Sequence, residues 1–266
     1  MKKIFTRIGV LMIALSFQQC SLFSAAGFTS QGQPTKEVRG SLTAVDVSEE
    51  IVDHSVWDNL LKKHVGKDGL VDYKGFQLDQ PGLRSYLDML SKTQPTENWS
   101  VEELLAYYIN TYNAYTVQLI LDNYPVKSIK DINASWTRGI VPVGSKNLSL
   151  GGIENGILRK MNEPRIHFAI NCASYSCPKL LNEAFTASKM EEQLEQVTKE
   201  FINSDKNEIN ASNPRLSSIF DWYKKDFVVN GEVDVIGYIN RYSKTKINRS
   251  ATVDFKNYDW NLNEKQ

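Results

Sequence analysis

The stretch from Trp99 to Pro125 constrains this chain more than any other. Ser100 and Glu103 have the spacing of a capping box, and Trp99 stands where a hydrophobic staple onto Leu104 would begin. Tyr124-Pro125 ends the run, because proline cannot continue a helix and disfavours helical backbone in the residue before it. Between these signals Leu104, Leu105, Tyr108, Ile109, Tyr112, Tyr115, Thr116, Leu119 and Ile120 cover most of the circumference. A surface helix carries one apolar stripe; a helix apolar nearly all round is buried on all sides. Other elements must therefore wrap this helix, which predicts one helix-rich domain built around it.

The rest of the pattern is mixed. Helical spacing is expected over residues 51–64 (Ile51, Val52, Val56, Leu60, Leu61) and 81–91, with Leu70 to Tyr73 a short strand or turn between them. Residues 138–150 read as a β-hairpin turning at Gly144-Ser145, and 150–161 as a short helix weakened by Gly151, Gly152 and Gly156. Arg165 to Asn171 alternates and reads as a strand, with Ile166, Phe168 and Ile170 on one face and His167 and Asn171 on the other. Ser188 and Glu191 cap a further helix, shorter helices follow at 217–228 and 234–242, and Ala251 to Phe255 forms a last strand. The fold class is α+β, one helix-rich domain with a small mixed or antiparallel sheet.

The N-terminus reads as an export signal over residues 1–26. Lys2, Lys3 and Arg7 precede an apolar run from Ile8 to Phe17, too short to span a bilayer. Cys20 is a candidate lipidation site; Ser24-Ala25-Ala26 offers ordinary cleavage instead. Residues 27–50 are polar and read as a flexible tether to a domain at 51–264. The expected location is the periplasm, or the outer membrane as a lipoprotein touching the membrane only through that lipid. Thirty-one basic residues balance 31 acidic ones, which argues against a nucleic-acid partner. Three histidines and three cysteines are too few for a His/Cys zinc site, and no cofactor is implied.

Chemistry concentrates in two places. Asn110 and Asn113 share a face of the long helix, where they either bridge to a neighbouring loop or orient a ligand. His167, Asn171 and Cys172 lie within six residues, and an imidazole near a thiol is the minimum for a cysteine nucleophile. Cys172 and Cys177 are open to three readings: a disulfide, one reactive thiol, or two inert thiols. Glu154, in an apolar stretch, needs a partner such as Arg159 or Arg165. Trp222, Tyr223, Phe227, Tyr258 and Trp260 read as core and lid packing.

The strings YYINTYNAYTVQLILDNYP, SLGGIENGILRKMNEPRIHFAINCASYSCPKL, LSSIFDWYKKDF and YDWNLN together resemble bacterial members of the DUF547 family over residues 55–262. That resemblance implies signature positions at Asn110, Tyr112, Asn113, Glu154, Arg165, His167, Asn171, Cys172, Ser176, Cys177 and Pro178, and no activity. The order of a long helix followed by a strand bearing His167 is also distantly similar to papain- and transglutaminase-type cores, although asparagine stands where their nucleophile would be. The preferred functional expectation is an envelope module that binds a peptide, glycan or protein in a cleft near Asn110, Asn113 and His167, with Glu154, Arg165 and Asn171 contributing. The alternative is a cysteine-dependent hydrolase or acyltransferase using Cys172, His167 and Asn113.

Overall fold

A computed structural model describes residues 29–266; the expected export signal and Cys20 lie outside the described residues. Helices α1 (Ser55–His64), α2 (Tyr73–Leu78) and α3 (Gln80–Lys92) precede the long helix α4 (Val101–Asp122). Then come strands β1 (Val141–Val143) and β2 (Lys146–Leu148), and helices α5 (Ile166–Ala169) and α6 (Met190–Ile202). Strand β3 (Arg215–Ser217), helix α7 (Ile219–Trp222), strands β4 (Val228–Val229) and β5 (Glu232–Val233), helix α8 (Val235–Tyr242) and strand β6 (Asp254–Lys256) complete the chain.

Helix α4 is buried along nearly its whole length, as its all-round apolar sequence requires. Helices α2 and α3, the segment after β2 and helix α6 pack around it. Ser100 Oγ accepts from the Glu103 N–H at 3.1 Å, which is half of a capping box. The other half is missing: the Glu103 carboxylate turns outward and accepts from the Val52 N–H at 3.0 Å, tying the N-terminal segment to the core. Among the described residues no helix is long and apolar enough to cross a membrane.

Among the described residues the strands form three separate two-stranded sheets. Pairs β1–β2 and β4–β5 are antiparallel, and β3–β6 is parallel. The first hairpin turns at Gly144, whose φ of 55° suits a residue without a side chain.

Several local expectations need correction. The first helix begins at Ser55, and Ile51 and Val56 are exposed. Asp72 ends the expected strand by capping the unforeseen helix α2, accepting from the Gly75 N–H at 2.8 Å. Residues 152–157 form a wide π-helical turn followed by a 3₁₀ turn at Leu158–Met161, consistent with the glycine content there. Ser188 does not cap helix α6; it lies in a preceding 3₁₀ turn, and Glu191 pairs with Arg165 instead. The described part of the expected tether lies against the domain: Val38 and Leu42 are buried, and the Val38 N–H donates to Met161 O at 2.7 Å.

The largest correction falls on Arg165 to Asn171. This segment is a single helical turn, Ile166–Ala169, leading into extended backbone at Ile170. Alternation marks a strand only when one face meets water. Here every residue from Arg165 to Asn171 is buried, so the polar members are placed by specific bonds and not by a wet face. The papain- or transglutaminase-like order of helix and His strand is lost with it.

Asn110 and Asn113 are both structural bridges. Asn110 donates to Phe185 O at 2.7 Å and accepts from the Phe185 N–H at 3.1 Å. Asn113 donates to Ala169 O at 3.0 Å and accepts from the Asn171 N–H at 2.8 Å. Each amide thus substitutes for a missing backbone partner of a neighbouring segment. Replacing Asn113 by alanine strands both backbone groups in the interior and is expected to cost about 2–4 kcal/mol in urea unfolding; a loss below about 0.5 kcal/mol would contradict the bridge.

Candidate functional site

The segment Asn171–Pro178 is a braced loop. The Asn171 side chain donates to Pro178 O at 2.7 Å and accepts from the Ala173 N–H at 2.9 Å, closing the loop from within. The C-terminal segment zips along its outside: Tyr175 N–H donates to Asn261 O, Ser176 N–H to Asp259 O, and Asn263 N–H to Ala173 O. Ser176 Oγ also accepts from the Asp259 N–H at 2.9 Å. This pairing carries Tyr258 and Trp260 to the loop. Ala173 sits at φ 59°, a left-handed conformation uncommon for a residue with a side chain, immediately after Cys172.

Beside the loop lies a cleft of about 380 Å³. Trp136, Trp222, Tyr258 and Trp260 form its rim, and Glu154, His167, Cys172 and Cys177 reach its inner wall. Trp222 stacks on Trp260 at 5.9 Å between ring centroids and lies 4.8 Å from Tyr258, which is 4.6 Å from Trp260. Of the aromatic group expected to pack in core and lid, Phe227 is fully buried, Tyr223, Tyr258 and Trp260 are partly buried against the core, and Trp222, 48% exposed, faces the opening. A second cavity of about 800 Å³ lies on the far side of the same loop, and Cys177 borders both.

The titratable groups of the cleft are committed to partners. His167 Nε2 lies 2.8 Å from Asp226 Oδ2, and its ring stacks on Tyr223 at 4.0 Å. Arg159 donates twice to the same Asp226, at 2.6 and 2.8 Å. Burial pushes the Asp226 carboxyl upward, but the bonds from His167 and Arg159 outweigh it and hold the group well below the usual carboxylate range. Glu154 accepts from Tyr223 Oη at 2.5 Å and from Tyr112 Oη at 3.4 Å. Neither arginine expected for Glu154 reaches it; Arg165 is bound instead to Glu163 and Glu191, away from the cleft.

Cys172 and Cys177 are free thiols, not a disulfide. Their sulfurs are 3.1 Å apart, and the Cys172 N–H donates to Cys177 Sγ at 3.0 Å. Ser174 Oγ and Tyr258 Oη lie 3.0 and 3.4 Å from Cys172 Sγ. The Cys177 thiol above all, against the effect of burial and with help from Ser174 and Tyr258, brings the Cys172 thiol down to about 7. Burial and the neighbouring sulfur push Cys177 the opposite way. Cys172 is partly exposed, whereas Cys177 is buried.

Of the expected site residues, the fold brings Glu154, His167, Cys172 and Cys177 to one cleft; Asn113 and Asn171 brace the cysteine loop beside it, and Asn110 and Arg165 are bound elsewhere, to Phe185 and to Glu163 and Glu191. Cys172 and His167 share no hydrogen bond; the thiol binds Cys177, Ser174 and Tyr258, and the imidazole binds Asp226. Sequence reasoning missed Asp226, Ser174 and Trp136. Asp226 and Trp136 are far from His167 and Cys172 along the chain and carried no spacing signal. Ser174 stood two residues from Cys172 and could have been found by asking what would donate to a thiolate.

Two measurements test this geometry. Alkylation of Cys172 by iodoacetamide is expected to reach half its maximal rate near pH 7 while Cys177 stays protected; Tyr258→Phe, which removes a donor, raises that midpoint by roughly half a pH unit. An unmoved midpoint would rule out the hydroxyl's part. Because Asp226 is depressed in the fold, its contribution is present above the unfolded carboxyl pKa and is lost as pH falls through the folded one. Asp226→Asn should therefore lower the thermal midpoint above about pH 5 and lose that deficit progressively below about pH 4; a pH-independent deficit would show that the ionised carboxylate is not what stabilises.

No curated protein matches the chain, and no solved structure matches it. Residues 96–202 match the family model DUF547, described as a protein of unknown function. That span holds helix α4 with its two bridging asparagines, His167 and the whole cysteine loop. Residues 96–202 of this chain are a DUF547 domain.

Proposed function

We propose that this is an exported binding module of the bacterial cell envelope, seating an extended peptide segment in the aromatic cleft. The observation that carries the reading is the rim of Trp136, Trp222, Tyr258 and Trp260 around a partly open apolar space. Flat rings supply large contact area at low entropy cost and dominate recognition where they surround a pocket. The polar groups lining the inner wall favour an apolar or aromatic side chain over a glycan. Glu154, Asn155 and His167 are each engaged with neighbouring residues, so a sugar's hydroxyls would have few uncommitted partners. Export to the periplasm, or attachment to the outer membrane through a lipid on Cys20, belongs to the same proposal and rests on the N-terminal sequence.

A second reading, a cysteine-dependent hydrolase or acyltransferase, draws support from the lowered Cys172 thiol. It would need His167 to leave Asp226 before it could serve that thiol as a base.

Peptides with a single aromatic side chain, added to the full chain, should quench tryptophan fluorescence saturably. Trp222→Ala or Trp260→Ala is expected to weaken binding by about tenfold or more, from the ~1–3 kcal/mol such contacts contribute. Equal affinity in both variants would rule out the cleft as the binding surface.

A further inference from the structure

We infer that Cys172 and Cys177 form a thiol–disulfide exchange centre, in which Cys172 attacks a disulfide-bearing peptide held in the cleft and Cys177 resolves the mixed disulfide. The inference rests on the cleft reading only for how the peptide is held. The geometry divides the labour between the sulfurs. Both cysteines reach the cleft wall, but Cys172 is partly exposed there whereas Cys177 is buried, its sulfur 3.1 Å from the first. Two free thiols at that separation need little motion to join, because a disulfide brings its sulfurs to about 2.05 Å. The attacking sulfur needs groups that stabilise its thiolate, and the Cys177 thiol and the hydroxyls of Ser174 and Tyr258 converge on Cys172. The lowered Cys172 and raised Cys177 thiols match the same division.

The loop sets the two sulfurs side by side. Asn171 braces both ends of the segment, and Ala173 holds a left-handed backbone between Cys172 and Ser174. Four intervening residues make a larger ring than the two of a Cys-x-x-Cys motif, so spacing alone does not announce the chemistry.

The reaction balances as two exchanges. The Cys172 thiolate attacks one sulfur of the substrate disulfide; that S–S bond breaks, a Cys172–substrate disulfide forms, and the other substrate sulfur leaves as a thiolate that takes a proton from water. Cys177 then gives its proton to water and attacks the Cys172 sulfur. The Cys172–Cys177 bond forms, and the second substrate sulfur leaves and is protonated. The substrate disulfide gains two electrons and two protons, the dithiol loses them, and an external dithiol reductant restores the pair by the reverse exchanges.

The test uses the full chain in catalytic amounts, oxidised glutathione or a disulfide-linked peptide as substrate, and dithiothreitol as terminal reductant. The expected result is an acceleration of substrate reduction by at least about tenfold over dithiothreitol alone, lost in Cys172→Ser and in Cys177→Ser. Peptide-level mass spectrometry, which separates Cys20, should show glutathione on Cys172 of Cys177→Ser, whereas the Cys172–Cys177 segment of wild-type protein without dithiothreitol should lose two hydrogens and keep no glutathione. Absence of acceleration, or acceleration that survives Cys177→Ser, would overturn the inference. So would glutathione collecting on Cys177 of Cys172→Ser as readily as on Cys172 of Cys177→Ser. Circular dichroism establishes that each variant is folded, and wild-type alkylation order gives a readout free of substitution. If exchange fails while the double serine variant still binds peptides, the exchange centre is wrong and the cleft stands. If glutathione exchange persists while peptide binding is absent, the cleft reading is wrong and the centre stands.

Discussion

A relay of side-chain amides holds this structure's chemistry in place. It begins on the buried helix α4, where Asn113 receives the Asn171 N–H and donates to Ala169 O. Asn171 continues it by closing the cysteine loop onto Pro178 and Ala173, and it receives Asn263 Nδ2 at 3.3 Å. Asn263 in turn accepts from Tyr73 Oη at 2.7 Å, which anchors the C-terminal segment to helix α2. Each member is buried, so each bond replaces water that cannot enter and each omission would strand a partner. The loop, the C-terminal strand of residues beside it and the central helix are thereby one mechanical unit.

The cleft is a consequence of that unit. Zipping the C-terminal segment against the loop carries Tyr258 and Trp260 to the rim, where they meet Trp222 from helix α7. The inner wall divides into two kinds of group. His167 and Arg159 bond Asp226, and Glu154 separately accepts from its two tyrosines, so these groups are engaged with one another. Cys172 differs, since it is partly exposed and its neighbours favour its ionised form. Reactivity in this cleft therefore concentrates on sulfur, while the acids and the imidazole shape and orient the wall.

How much of this was legible beforehand follows the range of the interactions. Helix α4, its Ser100 cap, the hairpin at Gly144 and the helix-rich α+β class came from local periodicity and turn chemistry, which are encoded within a few residues. The segment 165–171 misled because complete burial removes the wet face on which the period-two argument depends. Asn110 and Asn113 were visible as buried amides, but whether they served ligand or backbone depended on Phe185, Ala169 and Asn171, which only the tertiary fold brings near. Likewise Glu154 found tyrosines and not arginines, and His167 found an aspartate fifty-nine positions away. Cys172 and Cys177 were recognisable as a pair; their unequal environments were not, because the difference lies in the contact from Tyr258, far along the chain, and in how deeply the fold buries each sulfur.

By closing the cysteine loop, Asn171 holds the two thiols in unequal environments, and the ratio of their alkylation rates in Asn171→Ala at pH 7 tests this. With the brace removed and the fold verified by circular dichroism, Cys172 should lose most of its advantage over Cys177, and the ratio should fall by about tenfold or more toward unity. A folded Asn171→Ala protein that keeps the wild-type ratio would contradict the account, because the inequality of the sulfurs would then owe nothing to the relay.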